Sequence, residues 1–195
     1  MRVSTAQFKM LSMPTASRSQ REMNILDATL AEIIEGGIDS VSMQKIAQRC
    51  GLTRTAIYQY FSSVDDVFAE LVINDMADLV NEIDQKVSQF SDPYEQVRIW
   101  VHYSLAHLST GEHAYIRKLS ERTMPEAKRG LIRALHGQFM FGLFAPVEQI
   151  RPKDSESVCA FIAATVNAAA TRIESGQPFA VEAHAVEEFI MSALH

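Results

Sequence analysis

Cysteine is nearly absent: two in 195 residues, Cys50 and Cys159, far apart and each inside an apolar helical pattern. That excludes a disulfide framework and reads as buried free thiols in a reducing cytosol. Glycine (8) and proline (6) are also scarce, and they cluster at a few points. Few segments alternate apolar and polar residues at period two, so the expected fold is all-α. No apolar run approaches the length of a membrane span, which predicts no membrane partner. Gly-x-Ser-x-Gly, phosphate-cradling glycine loops and zinc-helix motifs are missing, so no enzyme and no cofactor are expected. Internal repeats and low-complexity tracts are missing too.

Apolar residues make up 47% of the chain, enough for a substantial core, and the net charge is −6. The charge is unevenly divided. Residues 1–70 hold seven Lys/Arg against eight Asp/Glu, whereas the remainder hold eleven against sixteen. Residues 1–21 carry no acid. Bases gather at Arg18–Arg21 and between Lys45 and Arg54, so a basic face can exist on an acidic chain. The start lacks the apolar core of a secretory signal. It reads as a tail-like arm over residues 1–17, with Met10 or Met13 as alternative starts, in preference to a transit peptide.

The organisation follows from helical periodicity and its punctuation. A first helix is expected over Ser19–Glu35, with Ile25, Leu26, Leu30, Ile33 and Ile34 at helical spacing, stopped by Gly36-Gly37. Ser42 caps a second helix whose Met43, Ile46 and Ala47 face inward. Gly51 turns the chain, Leu52 fills the space between helices, and Thr53 caps a third. There Ile57 and Phe61, four apart, anchor one face and turn Arg54, Thr55, Tyr58 and Gln59 outward. Two short helices joined in this way form a helix-turn-helix, which seats its second helix in the major groove of DNA and points to a transcription regulator.

Ser62-Ser63 break and recap the chain, and Asp65 and Asp66 suit the start of a long helix ending near Phe90. It is long enough to link two domains mechanically. Further helices are expected over Pro93–Leu108, Ala114–Glu121, Glu126–Gln149 (bent near Gly142 or Pro146), Ser155–Ser175 and Val181–Leu194. The predicted domains are the arm over 1–17, a DNA-binding unit over 18–64, and a ligand-binding and dimerisation bundle over 65–195. The last two helices carry Ala160, Ala163, Ala164, Ala168, Ala169 and Ala170, then Val186, Phe189, Ile190 and Leu194. That pattern suggests a four-helix interface across a twofold axis.

From Ile25 to Leu71 the chain resembles the tetracycline-repressor (TetR) family of regulators. The resemblance is carried by Ile25-Leu26-Asp27-Ala28, Gly37-Ile38-Asp39, Ser42-Met43-x-x-Ile46-Ala47, Gly51-Leu52-Thr53, Ile57-Tyr58-x-Tyr60-Phe61, Asp65-Asp66-Val67 and Leu71. It implies an all-helical homodimer, an N-terminal DNA-binding unit, and a C-terminal bundle that encloses an effector. By position it makes Ser42, Thr53, Thr55, Tyr58 and Tyr60 DNA contacts. Val64 stands where the family usually has a phosphate-binding lysine, so affinity leans on Arg18, Arg21, Lys45 and Arg54. The family often has glycine at the position of Thr55, whose methyl and hydroxyl can touch bases.

Arg54 can fork onto guanine and Gln59 onto adenine. Tyr58 and Tyr60 suit phosphate, Tyr60 having partial burial as its alternative. Lys45 and Arg49, one turn apart on the second helix, are either backbone contacts or a solvated face. Arg18 and Arg21 can reach a minor groove or remain in a tail.

The effector candidates are Trp100, Tyr103, His107, Tyr115, Phe139, Met140, Phe144 and Asn167. Such an aromatic set with few polar atoms suits an apolar or amphipathic molecule, with plain core packing as the alternative for each residue. Arg117 and Arg122 can hold a carboxylate, or pair with Glu121 or Glu126. No metal site is expected. His102 and His107, five apart, point to different helix faces, and His113 and His136 have no Cys or carboxylate at ligand spacing.

The sequence therefore predicts a cytosolic, ligand-responsive dimeric regulator, a repressor, reading a palindromic operator. Its effector would shift the long fourth helix. The alternatives are a helical interaction module whose helix-turn-helix does not bind DNA, supported by Val64 and the neutral N-terminal part, and, last, an enzyme using the aromatic pocket.

Overall fold

In the computed structural model, residues 20–122 and 124–194 are described. The arm expected over 1–17, and Arg18, lie outside them. The described residues form nine α-helices and one short 3-10 turn, with no strand, so the all-α expectation holds. The helices are α1 (Gln20–Gly36), α2 (Met43–Arg49), α3 (Arg54–Ile57), α4 (Val64–Val87), α5 (Pro93–Leu108), α6 (Gly111–Ser120), α7 (Glu126–Ile150), α8 (Ser155–Glu174) and α9 (Phe179–Leu194); Ile38–Ser40 is the 3-10 turn. The chain divides into two compact units between Ser62 and Ser63.

Local chemistry sets most of these boundaries. The Ser42, Thr53, Ser63, Asp92 and Thr110 side chains each accept an N–H from the first turn of the helix that follows. These bonds satisfy donors that the helix itself cannot. Pro93 opens α5, where its missing N–H costs nothing. Gly37, at φ 79° and ψ 162°, follows α1 in an extended positive-φ conformation that glycine adopts without strain. Two boundaries depart from expectation by three residues: α4 ends at Val87, not near Phe90, and α6 begins at Gly111, not Ala114. Thr110 supplies a cap that the adjoining glycine concealed, and glycine is tolerated in a first turn.

In the N-terminal unit, Ile25, Leu26 and Ile33 of α1 form a core with Met43, Ile46, Ala47, Ile57 and Phe61, all buried. Ile34 faces outward, 47% exposed, because the inward stripe is already filled by Ile33.

The C-terminal unit centres on Trp100, Val101, Leu105, Leu143, Val147, Ile162, Val166 and Ile190. Here α4 packs on α5, α6 and α7, while α5 also packs on α8 and α9. Helix α7 runs unbroken through Gly142 and Pro146. Phe141 points to solvent at 48% exposure, since Leu143 and Val147 occupy the inward stripe.

Candidate nucleic-acid interface and bundle site

The turn between α2 and α3 requires glycine for its backbone. Gly51 sits at φ 65°, although a Cβ there would meet nothing within 4 Å. Its N–H donates to Gln48 O at 3.1 Å, and Leu52 N–H donates to Ala47 O at 2.8 Å. Ile46 and Ile57 are fully buried and Phe61 nearly so. That anchoring leaves Lys45 on α2 exposed together with Thr53, Arg54, Thr55, Tyr58 and Gln59 on and around α3, while Ser42 and Tyr60 are half-buried. Beyond Ile57 the turn tightens: Gln59 N–H reaches Ala56 O at 3.2 Å and Tyr60 N–H reaches Ile57 O at 3.0 Å.

The Ser42 and Thr53 oxygens accept from Lys45 N–H at 3.3 Å and Ala56 N–H at 3.1 Å. Each cap uses an oxygen lone pair, so each hydroxyl proton stays free to donate outward. The surface thus offers one ammonium, one guanidinium, hydroxyls, a carboxamide and phenols on a rigid underside. That inventory matches phosphate oxygens and base edges.

Arg49 is not part of that surface. Its Nε donates to Glu32 at 2.8 Å and its guanidinium also engages Glu35, both on α1. The hydrogen bond from Arg49 holds the Glu35 carboxyl below its ordinary value and, reciprocally, raises the guanidinium. Two carboxylates neutralise this base within the protein. Partners 14 and 17 residues away lie beyond any spacing argument on α2. Arg21 is exposed on α1.

In the bundle, Trp100 is buried; its indole N–H donates to Phe139 O at 3.1 Å and the two rings lie 4.7 Å apart. Tyr103, Phe139, Met140 and Phe144 pack partly buried against the same core. Tyr115 is half-buried on α6, with Lys118 Nζ 5.9 Å from its ring. Asn167 stands apart on the exposed surface of α8, its amide donating to Ala163 O of its own helix. Met140, Phe141, Phe144, Cys159 and Ala160 line an open apolar cleft of about 360 Å³ between α7 and α8. Ser104, fully buried, has the one buried side-chain polar atom without a hydrogen-bond partner among the described residues. Arg117 pairs with Glu174 of α8 at 2.7 Å, not with Glu121 or Glu126, and Arg122 lies 5.7 Å from the Phe68 ring.

A polar cluster that linear spacing does not reveal sits where α4, α5 and α6 meet. One Asp75 carboxylate oxygen lies 3.0 Å from His107 Nε2, and the other lies 2.9 Å from His113 Nδ1. The two rings are 5.2 Å apart. Burial disfavours the Asp75 charge, but hydrogen bonds from His107 and His113 outweigh it and hold the carboxyl at about 2. Burial likewise opposes a charge on His107; its bond to Asp75, with the field of Glu82 and Asp78, raises it above its ordinary value.

The outer face of α8 and α9 is apolar. Phe161, Phe189 and Val181 are 70%, 63% and 60% exposed, and Ala164, Thr165, Ala168 and Ala185 line a shallow groove beside Phe189. No helix of the described residues is long and apolar enough to cross a membrane.

Residues 25–71 match the family model described as bacterial regulatory proteins, tetR family. An HTH-type transcriptional regulator of Mycobacterium tuberculosis is 28% identical over 69 residues, covering 35% of this chain and 30% of that protein. The fatty acid metabolism regulator protein of Bacillus subtilis is 26% identical over 93 residues, covering 47% and 46%. The matches thus span less than half the length of these curated relatives. Among solved structures, the fatty acid degradation regulator FadR of Bacillus halodurans superposes with a TM-score of 0.75 at 20% identity, covering 91% of this chain and 98% of that one. FadR of Bacillus subtilis, in complex with stearoyl-CoA, superposes with a TM-score of 0.73 at 18% identity, covering 89% and 99%.

Proposed function

We propose, from the chain's membership of the tetR family of bacterial transcription regulators through residues 25–71, that it is a dimeric, ligand-responsive repressor of a palindromic operator. The observation that carries this reading is the exposed row Lys45, Arg54, Thr55, Tyr58 and Gln59 above the buried Ile46 and Ile57. Residues 18–64 bind DNA in this reading and 65–195 bind ligand and dimerise. Arg54 and Gln59 read base edges, Lys45 and Tyr58 hold phosphate, and Ser42, Thr53, Thr55 and Tyr60 complete the contact.

The second copy docks on α8 and α9. Phe161, Ala164 and Ala168 recur at helical spacing on α8, as Val181, Ala185 and Phe189 do on α9, and a face this apolar is costly to leave in water. Twofold pairing then sets two recognition helices one DNA turn, about 34 Å, apart.

The effector is an amphipathic molecule with a long apolar part. The aromatic core around Trp100, the apolar cleft between α7 and α8, and the partnerless Ser104 hydroxyl support that class. The stearoyl-CoA complex of the Bacillus subtilis FadR agrees with it. Such a ligand alters repression only through its unequal affinity for DNA-fitting and DNA-releasing states, which differ in the spacing of the recognition helices.

The test is a mobility shift with DNA from upstream of the protein's own gene, across a salt series and with long-chain acyl-CoA added. The reading expects sequence-selective, salt-sensitive binding that the ligand weakens. Absence of selective binding at any salt would refute it. One observation favours a second reading, an interaction module that has lost DNA binding: Arg49 is neutralised within its own unit. Binding of some partner that survives both Arg54→Ala and Lys45→Ala would support that alternative.

A further inference from the structure

We propose that Asp75, His107 and His113 form a binding site for a divalent transition-metal ion, clamping α4 to the α5–α6 corner. The ligand atoms, a carboxylate oxygen and two imidazole nitrogens, all lie within 4.8 Å of one another. Tetrahedral ligands around zinc stand about 3.4 Å apart, given metal–ligand bonds of about 2.1 Å. The set therefore needs an inward shift of little more than an ångström, which imidazole and carboxylate rotations supply.

The backbone already holds two of the ligands in place. The Thr110 hydroxyl donates to His107 O at 3.0 Å and accepts His113 N–H at 3.1 Å. One side chain thus ties the last turn of α5 to the first turn of α6 and fixes the separation of the two histidines. Asp75 arrives from α4, and all three side chains are at most 19% exposed.

The surroundings favour a cation. Asp78 and Glu82 lie on α4 with Asp75 at helical spacing, and both add negative potential at His107. Two imidazoles and one carboxylate select zinc, cobalt, nickel or iron over magnesium and calcium, which prefer all-oxygen sets. Three protein ligands leave a coordination position for water. The site stands whether or not the chain binds DNA.

The test uses the full-length protein stripped with a chelator and titrated with Co²⁺, Zn²⁺ and Mg²⁺. Expected are one equivalent of Co²⁺ bound with visible d–d bands, displacement of Co²⁺ by Zn²⁺, and no response to Mg²⁺. Zn²⁺ should raise Tm, and chelator should reverse the rise. X-ray absorption of the zinc form should show nitrogen and oxygen neighbours with the scattering pattern of two imidazoles. Asp75→Ala, His107→Ala and His113→Ala should each weaken Co²⁺ binding at least about 100-fold, above the 10- to 100-fold typical of outer-shell losses. His184→Ala, on α9, should bind as before. If these variants fail to fold, the wild-type absorption spectrum decides alone. Failure of the wild type to bind Co²⁺, retained binding in folded triad variants, or a shell without two imidazoles would overturn the proposal.

Discussion

Arg49 on α2 donates through Nε to Glu32 on α1 at 2.8 Å and reaches Glu35 with its remaining nitrogens. Lys45, one turn earlier on the same helix, is exposed. Two bases that look equivalent in sequence thus have different duties. Arg49→Ala should lower Tm in thermal denaturation while leaving the salt dependence of DNA binding unchanged. Lys45→Ala should leave Tm unchanged and reduce the slope of log affinity against log salt by about one, the value of a lost phosphate contact. An equal loss of slope in both variants would put Arg49 back at the DNA surface.

Arg54 and Tyr58 separate base reading from register. Arg54→Ala should cost about 1–3 kcal/mol at one base pair of the operator and relax preference there. Tyr58→Phe should weaken all sequences alike, because a phosphate contact carries no sequence information. Binding arrays with single-base operator variants measure both effects.

Leu143 is fully buried at the centre of the bundle core. Leu143→Ala removes that packing and should destabilise by about 2–5 kcal/mol in urea titration. Ser104→Ala should act in the opposite direction. Its hydroxyl is buried without a partner, so its removal relieves a desolvation penalty of about 1–3 kcal/mol. The same variant should bind an acyl-CoA effector more weakly if that hydroxyl serves the ligand.

Phe161 and Phe189 project from α8 and α9 into solvent. Phe161→Glu with Phe189→Glu should give a folded monomer by sedimentation, with wild-type circular dichroism and sharply reduced operator affinity. A double variant that remains dimeric would move the interface elsewhere.

Cys159 is buried, and burial pushes its thiol up to about 11. It should therefore resist thiol reagents at neutral pH and react only after unfolding, since the thiolate is the nucleophile. Rapid labelling of the native protein at this residue, located by mass spectrometry, would contradict the burial.

The helices and most of their ends are legible in the chain itself, because caps and stops act within a few residues. Ser42, Thr53 and Ser63 accept the N–H groups their positions foretold, and Gly51 takes the positive φ that its turn required. The outward row from Arg54 to Gln59 was readable for a similar reason: Ile57 and Phe61, one helical turn apart, are buried.

What the linear pattern could not decide was which long-range partners meet. Spacing offered His113 no carboxylate nearby in the chain, but α5 ends between His107 and His113 and the chain folds back to set both rings against Asp75 on α4. In the same way the pairing of Arg49 with Glu32, the outward turn of Phe141 and Ile34, and the exposure of Asn167 depended on which stripe of each helix its neighbours covered. Hydrophobic periodicity states that a helix has an inner face, whereas the packing of the other helices selects it and gathers polar groups that the sequence holds dozens of residues apart.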